Sequence, residues 1–189
     1  MNLIKAQKRL LEILLQKSFK YSEEPIFKLV SGRMSNYYVN CKATTLDPEA
    51  MLLIGHLFYN KVKPLHINAI GGLTLGADPI AFATAMVSGM QDDAINAFVV
   101  RKKAKEHGLM KWIEGNVREG DKVVVVDDVV TTGQSTIEAI CRARESNLHV
   151  IKAITLVDRQ EGGRECIEKK DVPFESLFTR DDLMNLYKR

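Results

Sequence analysis

No run in this 189-residue chain approaches the roughly eighteen consecutive apolar residues of a membrane-spanning helix. The opening segment, Met1 to Lys17, lacks the block order of a secretory signal, because its lysines are spread among its leucines. Cysteine is scarce. Cys41, Cys141 and Cys166 are odd in number and form no Cys-x-x-Cys spacing, which argues against a disulfide framework and against a zinc site. Cys141 falls in a helical pattern and is expected to fill a small core position. The excess of positive charge is only +3, too little to indicate nucleic acid or a membrane surface as a partner. Neither the Gly-x-x-x-x-Gly-Lys-Ser/Thr phosphate loop nor the dinucleotide pattern Gly-x-Gly-x-x-Gly occurs. What is left is the expectation of a soluble, cytoplasmic protein. Its 46% hydrophobic and 27% charged residues are ordinary for a globular fold, and its length suits one domain with a small appendage.

Leu3, Leu10, Leu11, Leu14 and Leu15 recur at helical spacing, so an amphipathic helix opens the chain. Two extended runs, 26–30 and 37–41, flank a turn rich in Ser, Gly and Asn and predict a hairpin. Asp47-Pro48-Glu49 reads as a helix start, with Asp as N-cap, Pro at the first helical position and an acid in the first turn. That helix should stop before Pro64. A strand–helix rhythm follows: strand 66–70, loop 71–76, helix 77–89, strand 94–100, a long polar stretch 101–120, strand 123–128, a loop leading into a helix that ends near 146, and strand 150–158. Residues 173–178 make a last short strand before Thr179 caps a terminal helix. Alternation of this kind predicts an α/β fold, a parallel sheet with helices on both faces. The unbroken run Val123–Val126 fits its central strand. Residues 1–189 are expected to form one domain, to which residues 1–45 contribute a small helix and hairpin hood.

In an open parallel sheet, ligands bind beyond the carboxyl ends of the strands. After the valine run come Asp127, Asp128, Val129, Val130, Thr131, Thr132, Gly133, Gln134, Ser135 and Thr136, and then the helix. Gly133 allows close backbone approach, the first amides and dipole of the helix favour an anion, and the hydroxyls add donors. The two aspartates would repel a phosphate, so they suit sugar hydroxyls or developing positive charge. Acidic pairs also serve as helix caps or metal ligands, and a Thr/Gly loop can be a plain turn. The strand before and the helix after supply the context that favours a sugar-phosphate site.

The segment Val123 to Thr136 resembles the signature of type I phosphoribosyltransferases, which bind 5-phosphoribosyl 1-diphosphate (PRPP). The resemblance implies that family's fold, a central, mostly parallel sheet flanked by helices under an N-terminal hood. It also implies that Asp127 and Asp128 meet the ribose hydroxyls. Val129 and Val130 would lead into Thr131, Thr132, Gly133, Gln134 and Ser135, which wrap the 5-phosphate. The family's pyrophosphate loop corresponds to Gly71 through Gly76, with Thr74 as a PRPP contact.

Three further segments narrow the resemblance. From Arg101 to His107, four cations and a histidine follow a strand directly. A charge run is usually a solvated loop. A long loop at the ligand edge is often a lid, however, and a diphosphate leaving group needs positive charge. This stretch is similar to the catalytic loop of orotate phosphoribosyltransferases. The likeness implies PRPP and pyrophosphate contacts from Arg101, Lys102, Lys105 and His107. Catalysis would fall to Lys105, Arg101 and His107 together with Asp127 and Asp128, and the loop would be shared across a homodimer. Ser31 to Asn40 is similar to the family's Ser-Gly-Arg segment beneath the pyrimidine, which makes Tyr38 a stacking candidate. This chain departs from the family in having Tyr38 and Val39 where many members carry two phenylalanines. It also has Val30 in place of a lysine before Ser-Gly, with Lys28 two residues earlier. In Val157-Asp158-Arg159-Gln160, an arginine at a strand's carboxyl end can hold a carboxylate by two hydrogen bonds or pair with a neighbouring acid. The family likeness places Arg159 on orotate, with Thr131 also in contact. The implied reaction moves the phosphoribosyl group from PRPP to N1 of orotate, with Mg²⁺ carried by PRPP and not held by protein side chains. A phosphoribosyltransferase for another base and a PRPP-sensing regulator are the alternatives. No decarboxylase domain is expected within 189 residues.

Overall fold

Asn2 starts the first helix by accepting the Lys5 amide on its side chain, and α1 (Leu3–Lys17) buries Ala6, Leu10, Ile13 and Leu14 at helical spacing. This computed structural model describes residues 1–28, 32, 34–103 and 112–188. Short strands β1 (Phe19–Tyr21), β2 (Phe27–Lys28), β3 (Met34–Ser35) and β4 (Tyr37–Val39) follow, and then helices α2 (Lys42–Thr45) and α3 (Pro48–Val62). Asp47 caps α3 as expected, accepting the Ala50 amide. The expected hairpin is only partly present. Phe27 pairs with Ser35, but the run from Tyr37 pairs backwards with β1, in the register Phe19–Val39 and Tyr21–Tyr37. Phe19 and Val39 are both buried, so pairing β4 with β1 seals the end of α1.

The remaining elements are β5 (Ala69–Leu73), α4 (Asp78–Gly89), β6 (Asn96–Val100), β7 (Ile113–Gly115), β8 (Lys122–Val130), α5 (Gln134–Glu145), β9 (His149–Asp158), α6 (Gly163–Glu168), β10 (Phe174–Thr179) and α7 (Arg180–Tyr187). They build a six-stranded sheet in the order β10-β9-β8-β5-β6-β7, parallel except for β7. The valine strand is central, as predicted. Val124 and Val126 face the cluster formed with α1, α3 and α4, while Val123 and Val125 face the one formed with α5 and α6. With both faces covered, no polar alternation is possible. Thr179 caps α7 through a reciprocal capping box with Asp182.

Three expectations need correction. Gly71 and Gly72 are strand residues, not loop: a Cβ on Gly71 would sit 2.0 Å from the Phe98 carbonyl oxygen, and one on Gly72 would sit 2.2 Å from that of Val126. Glycine here lets β5 lie close to both neighbours. The polar stretch after β6 contains β7, a return strand on the sheet edge. Cys141 is exposed. The inward positions of α5 are Thr136, Ala139, Ile140 and Ala143, and Cys41 is the buried cysteine.

Candidate active site

The segments that leave β5, β8 and β9 lie at the same edge of the sheet. Strand β8 continues through Val130, so Asp127 and Asp128 belong to the strand itself and not to the loop beyond it. Both are buried, at 7% and 4% exposure. Asp127 accepts the Thr136 hydroxyl and the Asp128 amide, each at 2.9 Å. Asp128 accepts the Val129 amide at 3.0 Å and the Lys42 ammonium at 3.1 Å. The segment after β5 lies against the pair, for a Cβ on Gly76 would fall 2.5 Å from Asp128 Oδ1 and 3.1 Å from Asp127 Oδ1. Burial, and next the charge of Asp128, raise Asp127 from 3.8 to about 7, against the opposing pull of its Thr136 bond. A buried carboxyl poised near neutrality at the ligand edge of the sheet is a candidate functional position.

Beyond the aspartates, Val129 is half-buried and Val130 buried, and Thr131 and Thr132 bend the chain into α5. Gly133 adopts φ +80, and a Cβ there would sit 2.9 Å from the Gly163 carbonyl oxygen, which locks the loop against the start of α6. Thr132, Gln134 and Ser135 are exposed around the first turn of α5, while Thr136 turns inward to Asp127. Exposed donors and free amides at a helix start form an anion cradle.

Across the edge, the Thr74 hydroxyl donates to Asp78 Oδ2 at 2.6 Å, and the Thr74–Leu75 peptide is cis. A cavity of about 470 Å³ is lined by Thr74, Val99, Arg101, Lys102, Lys103 and Glu114. Arg101 is held toward β7 by Glu114 at 3.2 Å, and Lys102 is exposed. Lys105 and His107 lie outside the described residues, as do Val30, Ser31 and Arg33.

Arg159 follows β9 directly and is 7% exposed. Its guanidinium carbon lies 4.7 Å from the centroid of the Tyr37 ring, and its Nε is 3.4 Å from the Tyr37 hydroxyl. Nη2 is 2.9 Å from Glu161 Oε1 yet forms no directed hydrogen bond, so a buried donor is left for a ligand to satisfy. Tyr37 donates to the same Glu161 oxygen at 2.6 Å, and its phenol is pushed up by burial and then by that bond. The neighbouring acid weighed as Arg159's alternative partner is therefore present, but it leaves the fork incompletely used. Tyr38 sits apart, its exposed ring stacked on Phe27 at 6.1 Å, because successive residues of a strand face opposite sides. Lys28 is exposed on β2. Tyr37, Glu161, Thr136 and Lys42 were not singled out by the sequence. For Tyr37 and Tyr38, knowing which strand β4 pairs with would have decided the facing residue.

A phosphoribosyl transferase domain family model matches residues 48–180. The chain is 48% identical over 178 residues to an orotate phosphoribosyltransferase of Aquifex aeolicus, covering 94% of this chain and 97% of that one. Among solved structures it is similar to the Mycobacterium tuberculosis orotate phosphoribosyltransferase in complex with Fe(III) dicitrate, with TM-score 0.83, 36% identity, and coverage of 94% of this chain and 98% of that chain. The same mycobacterial enzyme in complex with PRPP aligns with TM-score 0.76 at 32% identity, over 95% of this chain and 92% of that chain.

Proposed function

The chain belongs to the orotate phosphoribosyltransferases, and we propose that this site moves the phosphoribosyl group of PRPP onto N1 of orotate. The products are orotidine 5′-monophosphate and pyrophosphate, in the synthesis of pyrimidine nucleotides. The observation that carries the residue-level reading is the meeting at one sheet edge of a buried carboxylate pair, an anion cradle and a buried arginine fork. Asp127 and Asp128 accept the ribose hydroxyls and stabilise the positive charge that develops on the sugar as the bond to diphosphate loosens. Thr131, Thr132, Gly133, Gln134 and Ser135 hold the 5-phosphate. Thr74, Arg101 and Lys102 line the space for diphosphate, and family likeness adds Lys105 and His107 to the departing group. Arg159 takes the orotate carboxylate, with Tyr37 beside it and Thr131 near. Orotate N1 is acidic enough to react without a dedicated base.

Among the described residues, no group of three or more His, Cys, Asp or Glu side chains could hold a metal. In this reading Mg²⁺ arrives on the diphosphate, because the ion favours substrate phosphates over an all-protein cage. When bound, it would neutralise the leaving group. No helix among the described residues is long and apolar enough to cross a membrane.

A homodimer belongs to the same reading. Phe82, Met86 and Met90 lie at four-residue spacing along α4 and just past its end, at 50%, 55% and 67% exposure, and Leu75 adds 52% beside the diphosphate segment. An apolar ridge of this kind is the mark of a contact surface. The double substitution Phe82→Glu, Met86→Glu is expected to convert the dimer to monomer in analytical ultracentrifugation and to lower activity about tenfold or more. A protein that stays dimeric would place the interface elsewhere.

The function is tested by supplying PRPP and Mg²⁺ with orotate, uracil or hypoxanthine. Only orotate carries a carboxylate for Arg159 and should give nucleotide and pyrophosphate. Failure with orotate would sink the reading.

A further inference from the structure

Lys42 opens α2, a short way past the strand that carries Tyr37. Its ammonium lies 3.1 Å from Asp128 Oδ2, and the Asp128 side chain is only 5% exposed, against 44% for Lys42. A cation from the hood segment therefore reaches into the ribose site. Accepting the reading that Asp127 and Asp128 bind ribose, we propose that Lys42 is a positioning residue for that pair, the counter-charge that orients Asp128 and keeps the pair anionic for PRPP.

The need for such a group follows from the surroundings. Two adjacent buried carboxylates repel each other and have lost solvent, so they resist carrying two charges. Asp127 is faced by the Thr136 hydroxyl from α5 and by the Asp128 amide on its own strand. Asp128 is faced by the Val129 amide, by Lys42 from α2 and by Gly76 from the segment before α4. Cys41 is also near, but burial and then the charge of Asp128 drive its thiol well above its usual range, so it stays neutral and offsets nothing. Arg159 is the other cation near Cys41, and its guanidinium is engaged by Tyr37 and Glu161. Among the described residues, Lys42 is thus the cation in contact with the pair. Burial alone would lower the Lys42 ammonium, yet its net displacement is upward, through Asp128 first and Asp127 after it.

Position adds a second consequence. Tyr37, five residues earlier, touches Arg159 at the acceptor end, so one short stretch of the hood serves both substrates. An exposed ion pair contributes little to stability. This one ends on a buried acid of the site, so its effect should appear in the protonation of the pair and not in the fold.

The test compares unmodified enzyme, Lys42→Met and Lys42→Arg, measuring kcat/KM for PRPP from about pH 5.5 to 9.5, KM for orotate, and thermal melting. The ionisation of PRPP is common to all three proteins and cancels. Loss of a cation this close should move the acid limb of the Lys42→Met profile up by about one pH unit or more. The value for PRPP should then fall about tenfold near pH 6.5 and recover toward wild type near pH 9, with orotate KM within about twofold. Lys42→Arg should restore the limb. A Lys42→Met limb that coincides with wild type, or a Lys42→Arg profile that stays shifted, overturns the proposal. Failure of the underlying reading shows separately, as no orotidine 5′-monophosphate from the unmodified enzyme at any pH, and it takes the proposal with it.

Discussion

Arg159→Ala is expected to lower kcat/KM for orotate about a thousandfold while leaving KM for PRPP within about twofold. The guanidinium is buried, and Nη2 has no directed hydrogen bond in the free protein. An incoming carboxylate would satisfy that donor and complete a planar, two-point contact. Removing the side chain loses that contact. It also takes away the cation that lies 2.9 Å from Glu161, so the acid would repel the incoming carboxylate more strongly. A buried charge stripped of its partner typically costs 2–5 kcal/mol, which spans the predicted loss at about 1.4 kcal/mol per factor of ten. Arg159→Lys should recover little, because an ammonium is a point charge that cannot present the fork. Steady-state kinetics with each substrate varied in turn decides the matter. A loss under tenfold, or an equal rise in KM for PRPP, would place the orotate carboxylate elsewhere.

The parts of this site that were legible in the sequence are those whose chemistry and backbone context coincide in one segment. The run from Val123 to Thr136 announces a doubly buried strand, an acid pair and a helix start, and all three appear in that order. Gly71 and Gly72 were harder to read, since glycine signals a loop as readily as it signals a close approach between strands. Only the spacing to Phe98 and Val126 shows which applies. Cys141 lies on the outer face of α5, which the inward period from Thr136 to Ala143 sets and a lone cysteine in a helical pattern does not reveal. Lys42 and Glu161 had no local signature. Each matters through a partner distant in sequence, Asp128 for one and Tyr37 for the other, and such meetings are fixed by how the hood packs, which no short motif encodes. Strand β7 was hidden because its three residues carry too little pattern to separate from the polar stretch around them.

Asp127→Asn should abolish most of the activity and at the same time make the protein more stable. The activity loss follows from charge: a neutral amide still accepts a hydrogen bond but cannot stabilise the positive ribose, and kcat should fall about a hundredfold to a thousandfold. The stability gain follows from the sign of the titration. Asp127 rises from 3.8 to about 7 on folding. Between those values the folded chain binds the proton that the unfolded chain has released. Stability therefore falls as pH increases across that window, and the full penalty is present above it. Asparagine removes the penalty while keeping the local bonds. Its oxygen can accept the Asp128 amide, and its amide can donate to the Thr136 oxygen in place of the bond Thr136 now makes. A gain of about 2–4 kcal/mol near pH 8 corresponds to a rise in Tm of roughly 5–10 °C for a chain of this size. The difference from wild type should be smaller near pH 5, where less of the penalty has accrued. Thermal melts at the two pH values, run beside the transferase assay, check both halves. A variant that melts lower than wild type at pH 8, or whose gain is the same at both values, would show that Asp127 is not held against its charge by the fold. Opposed outcomes would tie the two halves together: the burial that makes this carboxylate costly to keep is also what would let its charge act at short range on the ribose in the proposed reaction.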